Sequence, residues 1–338
     1  MSGKIWVYAE TDEGKILDVV HELLSKAAQL ARQYPEPPRV EAVLPGAAVA
    51  KLAEDLARNG AESVHLLEDP RLELWSPLTY VPLIADLVVR HDPDIFLFGA
   101  TALGSALGPA LAARLKTGMA AHCVDLRTDG EGLLVSSVPA FGGKVVGEIL
   151  CPRTRPQMAS VKAGLFRREA VEPRPLEVVQ ADLSVLDSID STALRPVGVS
   201  REKPTGLPLN KADLVLCGGF GTGSPDNWEL LARIAAATRG AVACTRPPVD
   251  EGWIQESCMV GTSGRSIRPK VYMGFGISGA THHICGMSDA EFVISVNTDP
   301  EAPIFDVSDV KIVADAGTIL ASLADELVGK NGTTPDRS

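Results

Sequence analysis

Residues 270–315, KVYMGFGISGATHHICGMSDAEFVISVNTDPEAPIFDVSDVKIVAD, constrain this chain more than any other segment. An apolar strand is expected at 271–273, running into Gly274-x-Gly276-x-x-Gly279. A short helix-compatible stretch follows, then strands at 292–296 and 310–314. Three glycines between a strand and a helix have separate jobs. One permits a tight turn, one lets backbone approach a pyrophosphate, and one lets helix and strand pack closely. Free amides at the helix start, helped by the helix dipole, then face an anion. Asn297, Asp299 and Asp315 fall at the carboxyl ends of the next two strands, where ligands collect in open parallel sheets. The segment therefore predicts a dinucleotide site.

At 338 residues the chain is long enough for two domains, each with its own core. Its net charge of -11 argues against a nucleic-acid partner, because neutralising phosphates needs clustered Lys and Arg. The six cysteines, at 123, 151, 217, 244, 258 and 285, include no CxxC and no zinc or iron–sulfur spacing. They read as reduced thiols. The sequence has no secretory signal pattern and no apolar run of transmembrane length. A cytoplasmic protein with no stable membrane insertion is expected.

The first half alternates strands (5–9, 40–44, 64–67, 95–99) with helices (15–33, 47–58, 78–90, 103–115). That rhythm predicts a parallel sheet with helical crossovers. After Gly118 the pattern changes to shorter strands at 123–126, 133–138, 144–149 and 158–161, read as an antiparallel extension. A region rich in Pro, Ser, Asp and Arg follows. The expected domains are 1–190 and 209–330, joined by a linker at 191–208 and ending in a frayed tail at 331–338. The second domain should open with a strand at 213–217, a glycine loop at 218–223, a helix at 228–238 and a strand at 241–244, and close on a helix at 318–328.

Several small constellations accompany the glycine triplet. The loop at 218–223 reads either as a plain strand-to-helix turn or as a second glycine loop lining the same crevice. Thr245 and Arg246 end a strand, where a guanidinium would favour the reduced, more negative form of a flavin. The polar turn Gly261-Thr262-Ser263-Gly264 offers hydroxyls beside backbone that a ring can approach. His282 and His283 fall in the first turn after the glycine loop. Adjacent helical residues point different ways, so at most one would donate to a flavin carbonyl. Each constellation alone also suits an ordinary surface turn, arginine or capping histidine.

Taken in order, these residues resemble the electron transfer flavoprotein alpha subunit. The resemblance runs through Thr245-Arg246, residues 249–253 (VDEGW), Gly261-Thr262-Ser263-Gly264-Arg265, residues 269–272 (PKVY), Gly276-Ile277-Ser278-Gly279-Ala280 with His283, residues 297–305 (NTDPEAPIF) and Val313-Ala314-Asp315. It is highly specific over about 210–325 and looser before that. Residues 139–143 (PAFGG) and 155–161 (RPQMASV) resemble the form in bifurcation-associated members. The resemblance implies an N-terminal adenine-nucleotide-hydrolase-like parallel sheet with an antiparallel extension, plus a C-terminal Rossmann-like FAD-binding domain. It implies a heterodimer with a beta subunit and electron exchange with a flavin dehydrogenase of the acyl-CoA type. Arg246 would lie over the isoalloxazine, Ser263 near N5 and His283 near O2. Residues 277–280 would hold the phosphates, and Asn297 and Asp315 the adenosine. The complex would be an enzyme only if it carries a second FAD.

Thr245 stands where the family usually has Ser. Phe220 stands where it commonly has Arg, and Thr262 and His282 where it often has Gln. Two other readings stay open. A nicotinamide-dependent oxidoreductase would need an acidic residue ending the second strand, where Asn297 and Asp299 are ambiguous. A nucleotide-sensing module would rest on the first domain alone.

Overall fold

The computed structural model describes residues 3–129, 132–140, 145–169, 175–189, 194, 196–200 and 207–328. These divide into two compact units, one ending at Ser200 and the other beginning at residue 207.

The first unit starts with β1 (Lys4–Tyr8), a small hairpin of β2 (Thr11–Asp12) and β3 (Lys15–Ile16), and α1 (Asp18–Ala31). Then come β4 (Arg39–Gly46), α2 (Ala53–Arg58), β5 (Ser63–Glu68), α3 (Pro77–His91), β6 (Ile95–Gly99) and α4 (Ala102–Leu115). The later strands are β7 (Met119–Cys123), β8 (Asp125–Thr128), β9 (Leu134–Ala140), β10 (Val145–Ile149), β11 (Gln157–Val161) and β12 (Glu177–Gln180). A seven-stranded sheet has the order β12-β5-β4-β1-β6-β11-β7, and every pairing in it is parallel. A second, three-stranded antiparallel sheet has the order β10-β9-β8.

The central strands β1 and β6 are apolar from Ile5 to Tyr8 and from Ile95 to Phe98 because both of their faces are covered. Alternation sorts their side chains. Ile5 and Val7 of β1 join Ile95 and Leu97 of β6 in the core under α1 and α2. Trp6, Tyr8, Phe96 and Phe98 form the opposite core, with α3 and α4.

Four local expectations are corrected. The first helix begins at Asp18, because Lys15 and Ile16 pair back onto Thr11 and Asp12 around a turn in which Glu13 and Gly14 take positive φ. The strand expected at 123–126 is two strands, broken at Val124, with His122 at φ 56° just before. The strand expected at 158–161 in the antiparallel extension lies inside the parallel sheet, between β6 and β7. Finally, β12 adds to the far edge beside β5, within a region that composition marks as irregular. Most of the expected linker, the tail at 331–338 and residues 141–143 of the PAFGG motif lie outside the described residues.

The second unit comprises β13 (Leu214–Gly218), α5 (Pro225–Thr238), β14 (Ala241–Cys244), α6 (Arg246–Asp250), β15 (Val271–Phe275), α7 (Thr281–Met287), β16 (Phe292–Asn297), β17 (Val310–Val313) and α8 (Ala316–Val328). Its five strands form a parallel sheet of order β14-β13-β15-β16-β17. Leu231 and Ile234 of α5 and Leu320 and Ala324 of α8 pack on one face; Met287 of α7 packs on the other, with Ile304 and Phe305. No helix among the described residues is long and apolar enough to cross a membrane.

The first unit buries a charge. Glu41 is 3% exposed and accepts hydrogen bonds from Trp6 Nε1 (2.8 Å) and, at one oxygen, from His65 Nε2 (2.8 Å). Burial pushes its carboxyl up, but the bonds from His65 and Trp6 and the nearby positive charges outweigh it, so the net shift is downward. A lowered folded-state value stabilises the fold above the ordinary carboxyl range, and that contribution disappears as pH falls through the lowered value. Glu41→Gln should therefore cost about 2 kcal/mol at pH 7. The gap should narrow once pH drops below the ordinary 4.5. Denaturant midpoints of the two proteins from pH 7 to 3 check this; a gap that ignores pH would contradict it.

Candidate functional site

The strand order puts the switch point of the second sheet between β13 and β15. The chain leaves β13 for β14 on one side and returns to β15 on the other. Ligands of open parallel sheets bind outside the carboxyl ends of the strands at such a point. Glycine ends β13 and directly follows β15, and the two loops touch backbone to backbone. The Gly219 N–H donates to the Phe275 carbonyl (2.8 Å) and the Gly221 N–H to the Gly276 carbonyl (2.9 Å). A Cβ on Gly219 or on Gly276 would collide with the backbone of the other loop. Gly276 also has φ 63°, so side chains are excluded there twice over.

A cavity of about 380 Å³ opens at this junction, lined by eighteen residues of the second unit. That volume suits a small-molecule or cofactor site. Arg246, His282 and His283 are the ionisable side chains among the eighteen, and none is acidic. The whole chain carries 43 Asp and Glu and a net charge of -11. The lining thus lacks acidic side chains in an otherwise acidic chain, and suits an anionic, acceptor-rich occupant.

Of the residues expected from sequence, Thr245, Arg246, Gly261, Ser263, Gly276, Ile277, Ser278, Ala280, His282, His283 and Asn297 line this cavity. Thr245 and Arg246 sit where β14 passes into α6, and Arg246 Nε lies 2.7 Å from Asp250 one turn on. The turn at 261–264 hangs on α7: Thr262 N–H donates to the His282 carbonyl (2.8 Å), and a Cβ on Gly286 would strike Gly261. Asn297 ties two loops together, its Nδ2 donating to the Ile277 carbonyl (2.8 Å) and its Oδ1 accepting from Asp299 N–H (3.0 Å).

Thr262, Gly264, Gly279 and Asp315 are not among the lining residues. Thr262 contacts His282, and Gly264 closes the turn through its N–H to the Gly261 carbonyl (3.1 Å). Asp315 caps α8, accepting from the Thr318 N–H and hydroxyl (2.9 Å each), which hold its carboxyl below the ordinary range. Its neighbour Ala316 reaches the cavity.

Three further residues are held by the protein itself. Gly274 lies inside β15, paired with Cys217 and Ser295, so the tight turn belongs to Gly276. Gly279, at φ 89°, has no room for a side chain because the backbone of Pro303 and Ile304 occupies it, and the Ile304 N–H bonds the Ser278 carbonyl (3.1 Å). The protein's own backbone requires that glycine.

The third residue is His283, which is 5% exposed with both ring nitrogens engaged. Its Nδ1 lies 3.0 Å from the Val260 carbonyl, which can only accept, so Nδ1 carries the proton. Nε2 then accepts from the Tyr272 hydroxyl at 2.7 Å, with Cys217 Sγ more distant at 3.9 Å. Burial lowers the His283 pKa, raises Tyr272 well above its ordinary value and pushes the Cys217 thiol up to about 12, so all three stay neutral. The ring that retains a polar atom beside the cavity is that of His282.

Sequence reading misses Pro247, Met259, Val260, Thr298 and Ala316 as lining residues. It also misses a stacked pair at the site: exposed Phe220 lies 5.6 Å from Trp253 with the rings 12° apart. Only the position of Phe220 in a glycine loop signals this pair beforehand.

Fold and site together define a two-unit α/β protein with a nucleotide-type crevice in its second unit. Comparison with known proteins makes this specific. Residues 5–186 match the electron transfer flavoprotein domain, and residues 208–288 the electron transfer flavoprotein FAD-binding domain. The chain is 36% identical over 324 residues to the electron transfer flavoprotein subunit alpha of Thermoanaerobacterium thermosaccharolyticum, covering 96% of this chain and 97% of that one. It is 36% identical over 332 residues to the same subunit of Megasphaera elsdenii, covering 97% of each. It is 32% identical over 327 residues to subunit LctC of the lactate dehydrogenase (NAD(+),ferredoxin) of Acetobacterium woodii, covering 96% and 77%. The chain belongs to the electron transfer flavoprotein family, as an alpha-type subunit. Alpha subunits of this family take a flavin and pair with a beta subunit.

Because Gly279 faces protein backbone, Gly279→Val should destabilise the second unit by about 3 kcal/mol or more. Thermal unfolding should show the loss even with no cofactor present. An unfolding transition identical to wild type, with only ligand binding lost, would restore the pyrophosphate explanation.

Proposed function

We propose that this chain is the FAD-carrying alpha subunit of a cytoplasmic, heterodimeric electron transfer flavoprotein. It exchanges electrons with flavin dehydrogenases of the acyl-CoA type and passes them to downstream acceptors. The observation that carries this reading is the cavity free of acidic side chains, at the sheet's switch point, in an otherwise acidic chain. FAD brings an anionic pyrophosphate and a ring that gains negative charge on reduction, and both suit such a lining.

The residues present fit that cofactor. Residues 276–278 and Ala280 line the cavity, where phosphates would approach, and Ser278 adds a hydroxyl. Arg246 would counter the negative charge of the reduced ring, with Thr245 and Ser263 supplying hydroxyls beside it. Asn297 would hold the floor of the adenosine side through its bond to Ile277. Bound FAD supplies the electron-accepting centre; the protein binds it, sets its potential and shields it. Acid–base work on a substrate forms no part of this task.

A nicotinamide enzyme is less well supported. β16 ends in Asn297, whose amide is already engaged, while Asp299 turns back to accept from Glu301 N–H (2.9 Å) and does not line the cavity. Nucleotide sensing by the first unit is also disfavoured. The switch point of that sheet, between β1 and β6, holds Glu10, 7% exposed and bonded to the Thr101 hydroxyl at 2.6 Å. A carboxyl group there opposes phosphate. With LctC as a relative, this subunit's complex would act as an NADH-dependent bifurcating enzyme if it carries a second FAD.

Arg246→Ala should lower the flavin midpoint potential in the complex with the beta subunit by about 60 mV, a tenfold change for a one-electron couple. Phe220→Arg should raise it. Spectroelectrochemical titration of the three complexes reads both changes. Unchanged potentials in both variants would remove the ring from this end of the cavity.

A further inference from the structure

Thr262, from the turn at 261–264, and His282, from α7, meet in one contact. Thr262 Oγ1 lies 3.0 Å from His282 Nδ1, and the Thr262 N–H donates to the His282 carbonyl at 2.8 Å. The close approach of Gly286 to Gly261 holds the two segments together. Twenty residues apart in sequence, the pair is held at both backbone and side chain.

We infer that Thr262 and His282 work as one unit. The threonine hydroxyl donates to Nδ1 and fixes His282 as the Nε2–H tautomer, and that N–H is the donor offered to an acceptor atom on the flavin ring. This rests on the flavin reading above. Thr262 is a positioning residue; His282 is the group that touches the ligand.

The neighbouring histidine sharpens the assignment. His283 has spent Nδ1–H on the Val260 carbonyl and Nε2 on the Tyr272 hydroxyl, so it has no polar atom left for a ligand. His282 lines the cavity, and with Nδ1 turned to Thr262 its remaining polar atom is Nε2. The separation of Nδ1 and Oγ1 alone permits either direction of donation. The surroundings choose between them. No acidic side chain lines the cavity and Arg246 does, so its occupant is anionic or rich in acceptors. A bare Nε2 lone pair would face the lone pairs of that occupant. An Nε2–H donor requires Nδ1 to accept, and the Thr262 hydroxyl is the group placed to donate.

The test uses the full chain in complex with its beta subunit, with histidine labelled by 15N. Ring-nitrogen shifts read the tautomer, and loss of a signal in His282→Gln assigns it among the six histidines. The inference predicts Nε2–H at His282 in wild type, with or without flavin, and loss of that bias in Thr262→Val. An Nδ1–H tautomer in wild type would overturn it.

Flavin affinity provides the second readout. Thr262→Gln and His282→Gln should each weaken FAD binding about five- to tenfold, the scale of one hydrogen bond. The double variant should lose no more than the larger of the two single losses, because the residues act as one unit. Single effects that simply multiply would mean that the two residues act independently, against the inference. If the wild-type complex takes up no FAD, the flavin reading fails, while the tautomer measured without ligand still decides whether Thr262 sets the ring.

Discussion

Everything at the candidate site depends on the contact between two backbones. Gly219 and Gly221 follow one strand, Gly276 follows its neighbour, and the loops bond directly to each other. No side chain fits between them. The contact keeps the carboxyl ends of β13 and β15 close while the chain departs to opposite sides of the sheet, and the crevice forms there. The remaining loops are fastened to this base. Asn297 secures Ile277, the 303–304 backbone braces Gly279, and α7 carries the turn at 261–264.

Electrostatics then gives the crevice its character. A chain with net charge -11 keeps acidic side chains out of this one lining. Beneath it, His283, Tyr272 and Cys217 form a neutral buried group, because burial disfavours the charged form of each. On the proposed reading, the charge that tunes a bound flavin comes from Arg246, and directional hydrogen bonding comes from His282 and the small hydroxyls.

The second sheet is largely legible in the sequence because each strand is a short apolar run stopped by a residue with a distinct backbone or polar preference. Gly276 and Gly279 stand out for the same reason. Their partners do not: a glycine pattern says that space is needed but not what fills it, and here Gly221 and Ile304 do. The first sheet shows the same limit. Its central strands are plain from their continuous hydrophobicity. The insertion of β11 between β6 and β7, and the addition of β12 at the edge, are long-range pairings that local pattern does not encode. The two histidines are harder still. Sequence places both beside the glycine loop, but only packing shows that Tyr272 and Val260 claim His283 and that Thr262 meets His282.

The most direct test of the account is the nucleotide content of the chain co-purified with its beta subunit, for wild type and for Gly276→Ala. The account predicts FAD bound in the wild-type complex, by extraction and mass, and its loss in Gly276→Ala while the first unit unfolds as before. Absence of flavin from the wild-type complex after reconstitution, or full FAD content in Gly276→Ala, would contradict it.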